Sequence, residues 1–134
     1  MFECLILGDS IGVGTAQAIN ARYARQCEVQ AVERATAEQI LGWRRPPKSF
    51  GAAIFAMGSN DAAGTALARK LLSIRASVRT RRVIWLLPYA RQQAYVVSSV
   101  AATFGDETLD LARFPSRDRI HPASYGDVAR TLLR

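Results

Sequence analysis

Short, unbroken apolar runs alternate along the chain with longer stretches in which apolar residues recur every three or four positions. Strands buried on both faces of a parallel sheet read as continuous apolar runs, whereas the helices that cover such a sheet carry a single apolar stripe. On that basis strands are predicted over residues 4–7, 27–32, 52–57, 83–87 and, more weakly, 108–111. The spacing of Ala16, Ile19 and Tyr23 predicts a helix over 14–24, and a short helix over 35–43 carries Ile40 and Leu41 inward. Leu67, Leu71, Ile74 and Val78 share one stripe of what is predicted as the longest helix, 62–78. A fourth helix over 92–104 turns Val96, Val97 and Val100 to the sheet, and a closing helix over 124–133 follows Pro122. Arg44-Arg45-Pro46-Pro47 cannot continue a helix, because a proline forces its predecessor out of helical geometry, so this segment is a loop.

Five β-α units in this order imply an α/β fold, a three-layer α/β/α sandwich around a five-stranded parallel sheet with right-handed crossovers. The 134 residues suit one domain, 1–134, and contain no internal repeat or linker. In such a sheet the ligand sits outside the carboxyl ends of the strands, so the polar residues of those turns carry the functional information.

Composition changes this picture little. No stretch approaches the ~20 apolar residues that span a bilayer. Met1-Phe2-Glu3-Cys4 lacks the basic start and cleavage signal of a secretory leader, which reads as a soluble, cytoplasmic chain. Eighteen Lys and Arg against eleven Asp and Glu leave a net charge of +7, but the arginines are spread over every segment without interleaved aromatics. That pattern describes a solvated basic surface, with neither nucleic acid nor membrane expected as partner. Cys4 and Cys27 lie in apolar surroundings without C-x-x-C spacing and are read as two buried thiols; a disulfide would require that they sit on neighbouring strands. No ligand spacing for a metal is present, and no cofactor is expected.

Three of the strand-end turns carry unusual chemistry: Gly8-Asp9-Ser10-Ile11, Gly58-Ser59-Asn60-Asp61 and Asp118-Arg119-Ile120-His121. A serine hydroxyl becomes a nucleophile only when a base takes its proton, and it needs nearby N–H groups to hold the developing oxyanion. Ser10, between a buried strand and a helix and flanked by Gly8, Gly12 and Gly14, meets that description; a plain helix N-cap is the structural alternative. His121 is the only histidine, in a polar turn three residues after Asp118, which can fix its tautomer while Nε2 faces the serine. Asn60 can aim its side-chain amide at the same point, or serve as a turn or cap residue beside Asp61.

Together these turns resemble the SGNH or GDSL hydrolases, whose blocks run Gly-Asp-Ser, then a Gly, then Gly-x-Asn-Asp, then Asp-x-x-His. The resemblance implies a flavodoxin-like fold, Ser10 as nucleophile, His121 as general base and then acid, and Asp118 as the group that orients it. It implies an oxyanion hole formed by the Ser10 N–H, the second-block N–H and the Asn60 amide, with Asp9 and Gly58 beside the substrate. The second block is where the chain departs: aligning Arg34-Ala35-Thr36 with the family's Gly-Ala-Thr type of segment puts arginine at the glycine. The Arg34 N–H then serves the oxyanion hole, and its guanidinium either points away or reaches for an anionic part of the substrate.

A nucleotide-binding module is disfavoured, because Gly12-Val13-Gly14 lacks the third glycine of G-x-G-x-x-G and no Gly-Lys-Ser/Thr is present. A binding domain with a dead site is disfavoured by the intact Ser10, Asp118 and His121. With little chain left over for a lid or tunnel, the expected substrate is a short acyl ester such as acetyl on a carbohydrate, with lysophospholipid and thioester substrates as alternatives.

Overall fold

The computed structural model describes residues 4–22 and 27–133. The elements follow in the order β1 (Cys4–Gly8), α1 (Ser10–Arg22), β2 (Glu28–Ala31), α2 (Ala37–Gly42), β3 (Ala52–Ala56), α3 (Thr65–Ala76), β4 (Val83–Leu87), α4 (Arg91–Phe104), β5 (Glu107–Asp110) and α5 (Tyr125–Leu132), with a 3₁₀ turn at Leu111–Arg113. The strands form one parallel sheet in the order β2-β1-β3-β4-β5. All residues of β1, β3 and β4 are buried, which is why they stand out in the sequence as unbroken apolar runs.

Alternate residues of each strand face opposite layers. Leu5, Leu7, Ala53, Phe55, Val83 and Trp85 pack against α2, α3 and α4, and the rings of Phe55 and Trp85 meet edge to face at 4.8 Å. Ile6, Ile54, Ala56, Ile84 and Leu86 pack against α1 and α5. The helix after β1 therefore lies on one face and the helix after β3 on the other. Their turns diverge between two neighbouring strands, β1 and β3, at the carboxyl edge of the sheet, the place where a parallel sheet whose strand order reverses is expected to bind its ligand.

Several boundaries differ from the sequence expectation. Helix α1 begins at Ser10 rather than residue 14, because the Asp9 carboxylate accepts the Ile11 N–H at 3.0 Å and starts the helix there. Its expected end at 24, with Tyr23, lies outside the described residues. Helix α2 is held to Ala37–Gly42 by a capping box in which Thr36 and Gln39 satisfy each other's backbone N–H; Ile40 is buried but Leu41 is 39% exposed, not inward. Helix α3 starts at Thr65, after Gly64, and leaves residues 62–64 in the turn, so among the described residues α4 is the longest helix. Leu67, Leu71 and Ile74 are buried as expected, and Val78 is buried just beyond the helix.

The cysteines correct the free-thiol reading. The parallel register pairs Leu5 with Glu28, so the preceding residues, Cys4 and Cys27, stand opposite each other with Cα atoms 4.7 Å apart, and they form a disulfide. No helix among the described residues is long and apolar enough to cross a membrane.

Candidate active site

Ser10 is the first residue of α1, so its N–H is one of the donors that a helix leaves without an internal partner, at the positive end of the helix dipole. Its Oγ lies 2.9 Å from His121 Nε2. His121 comes from the far end of the chain, and what brings it here is the packing of α5 on α1. A Cβ on Gly14 would meet Tyr125 ring carbons at 2.4 to 2.6 Å, so only glycine lets the Tyr125 ring settle on α1 and draw the preceding loop over its N-terminus.

That loop is organised around one carboxylate. Asp118 Oδ1 accepts the N–H groups of Ile120 (2.9 Å) and His121 (2.8 Å), while Oδ2 lies 2.8 Å from His121 Nδ1. The bond to His121, reinforced by those two N–H groups, holds the Asp118 carboxyl well below the usual carboxylate range although the group is exposed. Ser116, which the sequence reading did not single out, supports the turn: its Oγ accepts the Arg119 N–H at 2.9 Å and donates to the His121 carbonyl at 2.6 Å. Its only sequence signal is a serine two residues ahead of an aspartate, a common local turn pattern. Arg119 takes a left-handed φ of 59° to close it.

The structure thus places a hydroxyl, an imidazole and a carboxylate in one hydrogen-bonded line, with Ser10 Oγ at one end and Asp118 at the other. With Nδ1 facing the carboxylate, Nε2 is left to accept from the hydroxyl, the arrangement in which a serine can lose its proton as it attacks.

Around this line the other expected site residues are placed as follows. Arg34 is exposed and has φ 62°, the left-handed backbone that favours glycine, at the position where the resemblance puts a glycine. Asn60 is exposed in the turn after β3 and donates its side-chain N–H to the Ala35 carbonyl at 3.1 Å, tying that turn to the segment following Arg34. Asp61 strengthens the same link, both of its carboxylate oxygens lying 3.1 Å from the Ala37 N–H, and burial raises its pKa.

Asp9 and Gly58, the two residues expected beside the substrate, are both buried. Asp9 has no exposed surface; its side chain is turned into the protein as the cap of α1. Its Oδ2 has no hydrogen-bond partner among the described residues, and burial pushes its pKa up to about 7. Gly58 is buried with φ 103°, in the turn under Val97.

Comparison with solved structures bears on the architecture. The lipase/acylhydrolase from Enterococcus faecalis superposes with a TM-score of 0.77 over 100% of this chain and 94% of that one, at 17% sequence identity. The fold is that of the SGNH hydrolases. A second structure with this fold, the inhibitor-bound aryl esterase of M. smegmatis, superposes with a TM-score of 0.65 over 99% of each chain, at 12% identity. No family model matches the sequence, and no curated protein matches it.

Proposed function

We propose that the protein is a serine ester hydrolase acting through an acyl-enzyme. The observation that carries the reading is the line Ser10 Oγ to His121 Nε2 (2.9 Å) and His121 Nδ1 to Asp118 Oδ2 (2.8 Å). In the first step Ser10 Oγ attacks the ester carbonyl carbon as its proton passes to His121 Nε2. Asp118 keeps Nδ1 protonated and stabilises the imidazolium that forms. The tetrahedral oxyanion is held by the N–H groups of Ser10 and Arg34 and by the Asn60 amide, each such donor contributing about 3 kcal/mol in comparable sites. The alcohol leaves with the proton from His121, water then attacks the acyl-enzyme with His121 again as base, and the acid is released. No cofactor takes part in this scheme.

The substrate favoured is a short acyl ester, with acetyl on a carbohydrate as the leading case, since the triad is open to solvent: the His121 and Asp118 side chains are 39% and 51% exposed. A second reading, a longer acyl chain as in lysophospholipids or thioesters, is favoured by an open apolar groove between α3 and α4. Gly64, Ala68, Tyr95 and Val96 line it, beginning a few residues beyond Asn60. Turnover of p-nitrophenyl acetate that falls to the uncatalysed rate in Ser10→Ala, with an unchanged circular dichroism spectrum, is the expected result; turnover unaffected by that change would overturn the proposal. A series of p-nitrophenyl esters of increasing acyl length separates the two readings. The short-acyl reading predicts kcat/KM highest at two to four carbons.

A further inference from the structure

The opposite edge of the sheet carries a cavity that ester hydrolysis does not use. All strands run the same way, so the loops that enter them gather roughly 16 Å, one five-residue strand, from the turns that leave them. There the loop between α2 and β3 and the turn between α3 and β4 are joined: Phe50 N–H donates to the Arg79 carbonyl at 2.9 Å, and Arg81 N–H to the Phe50 carbonyl at 3.2 Å. Between them lies a cavity of about 290 Å³, at the lower end of the range for small-molecule sites, with Pro46, Phe50 and Val78 as apolar walls and Arg45, Lys48 and Arg79 as its cations.

The charge of this cavity is poorly compensated. Lys48 pairs with Glu28 at 3.5 Å. The nearby Arg75 and Arg82 pair with Asp106 and Glu107. Arg45 and Arg79 have no acidic partner among the described residues. Arg45 is partly buried and donates to Ser77 Oγ (2.9 Å) and to the carbonyls of Trp43 (3.0 Å) and Ile40 (2.8 Å). A guanidinium has five N–H donors, so two remain. Arg79 is exposed, and its guanidinium makes no hydrogen bond or ion pair among the described residues. Withdrawing a cation from water without an anion to face it is unfavourable, and burial accordingly lowers the Arg45 pKa.

We propose that this cavity is a second binding site, which takes a phosphate or sulfate monoester of a small organic group. The oxyanion lies between Arg45 and Arg79, whose planar donors match tetrahedral oxyanions, and the organic part packs on Pro46, Phe50 and Val78. The apolar walls make the ester a better ligand than the free anion.

Isothermal titration of the full chain with phenyl phosphate in low-salt buffer tests this. One saturable site per chain is expected, tighter than for inorganic phosphate, weakened at least tenfold by Arg79→Gln and less than twofold by Arg69→Gln, which removes the same charge from the exposed surface of α3. No saturation at millimolar ligand, or equal weakening by the two substitutions, would overturn the proposal. Vesicles containing phosphatidic acid present the same monoester on a lipid. Protein that sediments with them, and fails to after Arg79→Gln, places the natural ligand on a lipid; protein that binds phenyl phosphate and stays in solution identifies a soluble ester.

Discussion

Replacing Asp9 by asparagine changes how stability depends on pH, and the structure gives both the sign and the size. The carboxyl is sealed beneath the N-terminus of α1, with Oδ1 on the Ile11 N–H and Oδ2 without a partner among the described residues. Burial is the main cause of a pKa pushed from the ordinary 3.8 to about 7, opposed by backbone N–H groups of Ile11 and Gly12 and by the nearby His121. Between those two pH values the folded chain keeps a proton that the unfolded chain releases. The unfolded state then binds fewer protons, so stability is full below about 3.8, falls as pH rises through the window and levels off above 7. At about 1.4 kcal/mol per pH unit, the loss is on the order of 4 kcal/mol. Asparagine keeps the acceptor for Ile11 and never ionises. The difference in unfolding free energy between Asp9→Asn and the parent, from urea denaturation at pH 4 to 9, should move in the variant's favour by that amount and be flat above pH 8. A difference that does not change with pH would mean that the Asp9 carboxyl titrates alike in the folded and unfolded chain.

Asp118→Asn removes the acceptor that fixes the His121 tautomer, and kcat for p-nitrophenyl acetate should fall by about 10³- to 10⁴-fold with KM little changed; a loss under tenfold would contradict the role given to this carboxylate. Arg34→Gly keeps the backbone N–H and relieves a left-handed φ of 62°, so urea denaturation should show a gain of about 1 kcal/mol with esterase turnover retained. Thiol titration of the denatured, unreduced protein should find no free cysteine, and Cys27→Ser, which opens a link between residues 23 apart in sequence, should cost about 3 kcal/mol in the same denaturation assay.

What the sequence disclosed depended on how strongly each feature is marked locally. The central strands β1, β3 and β4 declared themselves because burial on both faces leaves no polar position in them. The turns with Ser10 and His121 stood out because their polar residues interrupt that pattern at strand ends. The start of α1 was hidden: Gly12 and Gly14 are poor helix formers, and what stabilises the helix there is a buried cap and the Tyr125 ring, both tertiary contacts. For the same reason Asp9, polar and next to the nucleophile, has the sequence appearance of a ligand-facing residue although its side chain is buried. The exposure of Leu41 is not legible in the sequence, because α2 has only six residues, too few for periodicity to choose its inner side. The start of α2 is nevertheless written in Thr36-x-x-Gln39, a capping signal. The Cys4–Cys27 link required the pairing of β1 with β2, which composition does not contain.

Labelling with a fluorophosphonate, followed by mass spectrometric mapping of the modified peptide, asks whether Ser10 is the nucleophile, because such a reagent marks a serine only when a neighbouring base has activated it. One adduct on Ser10 is predicted, absent in Ser10→Ala and formed far more slowly in His121→Ala. Ester hydrolysis by a protein whose Ser10 stays unlabelled, or whose label lies on another residue, would rule out Ser10 as the nucleophile.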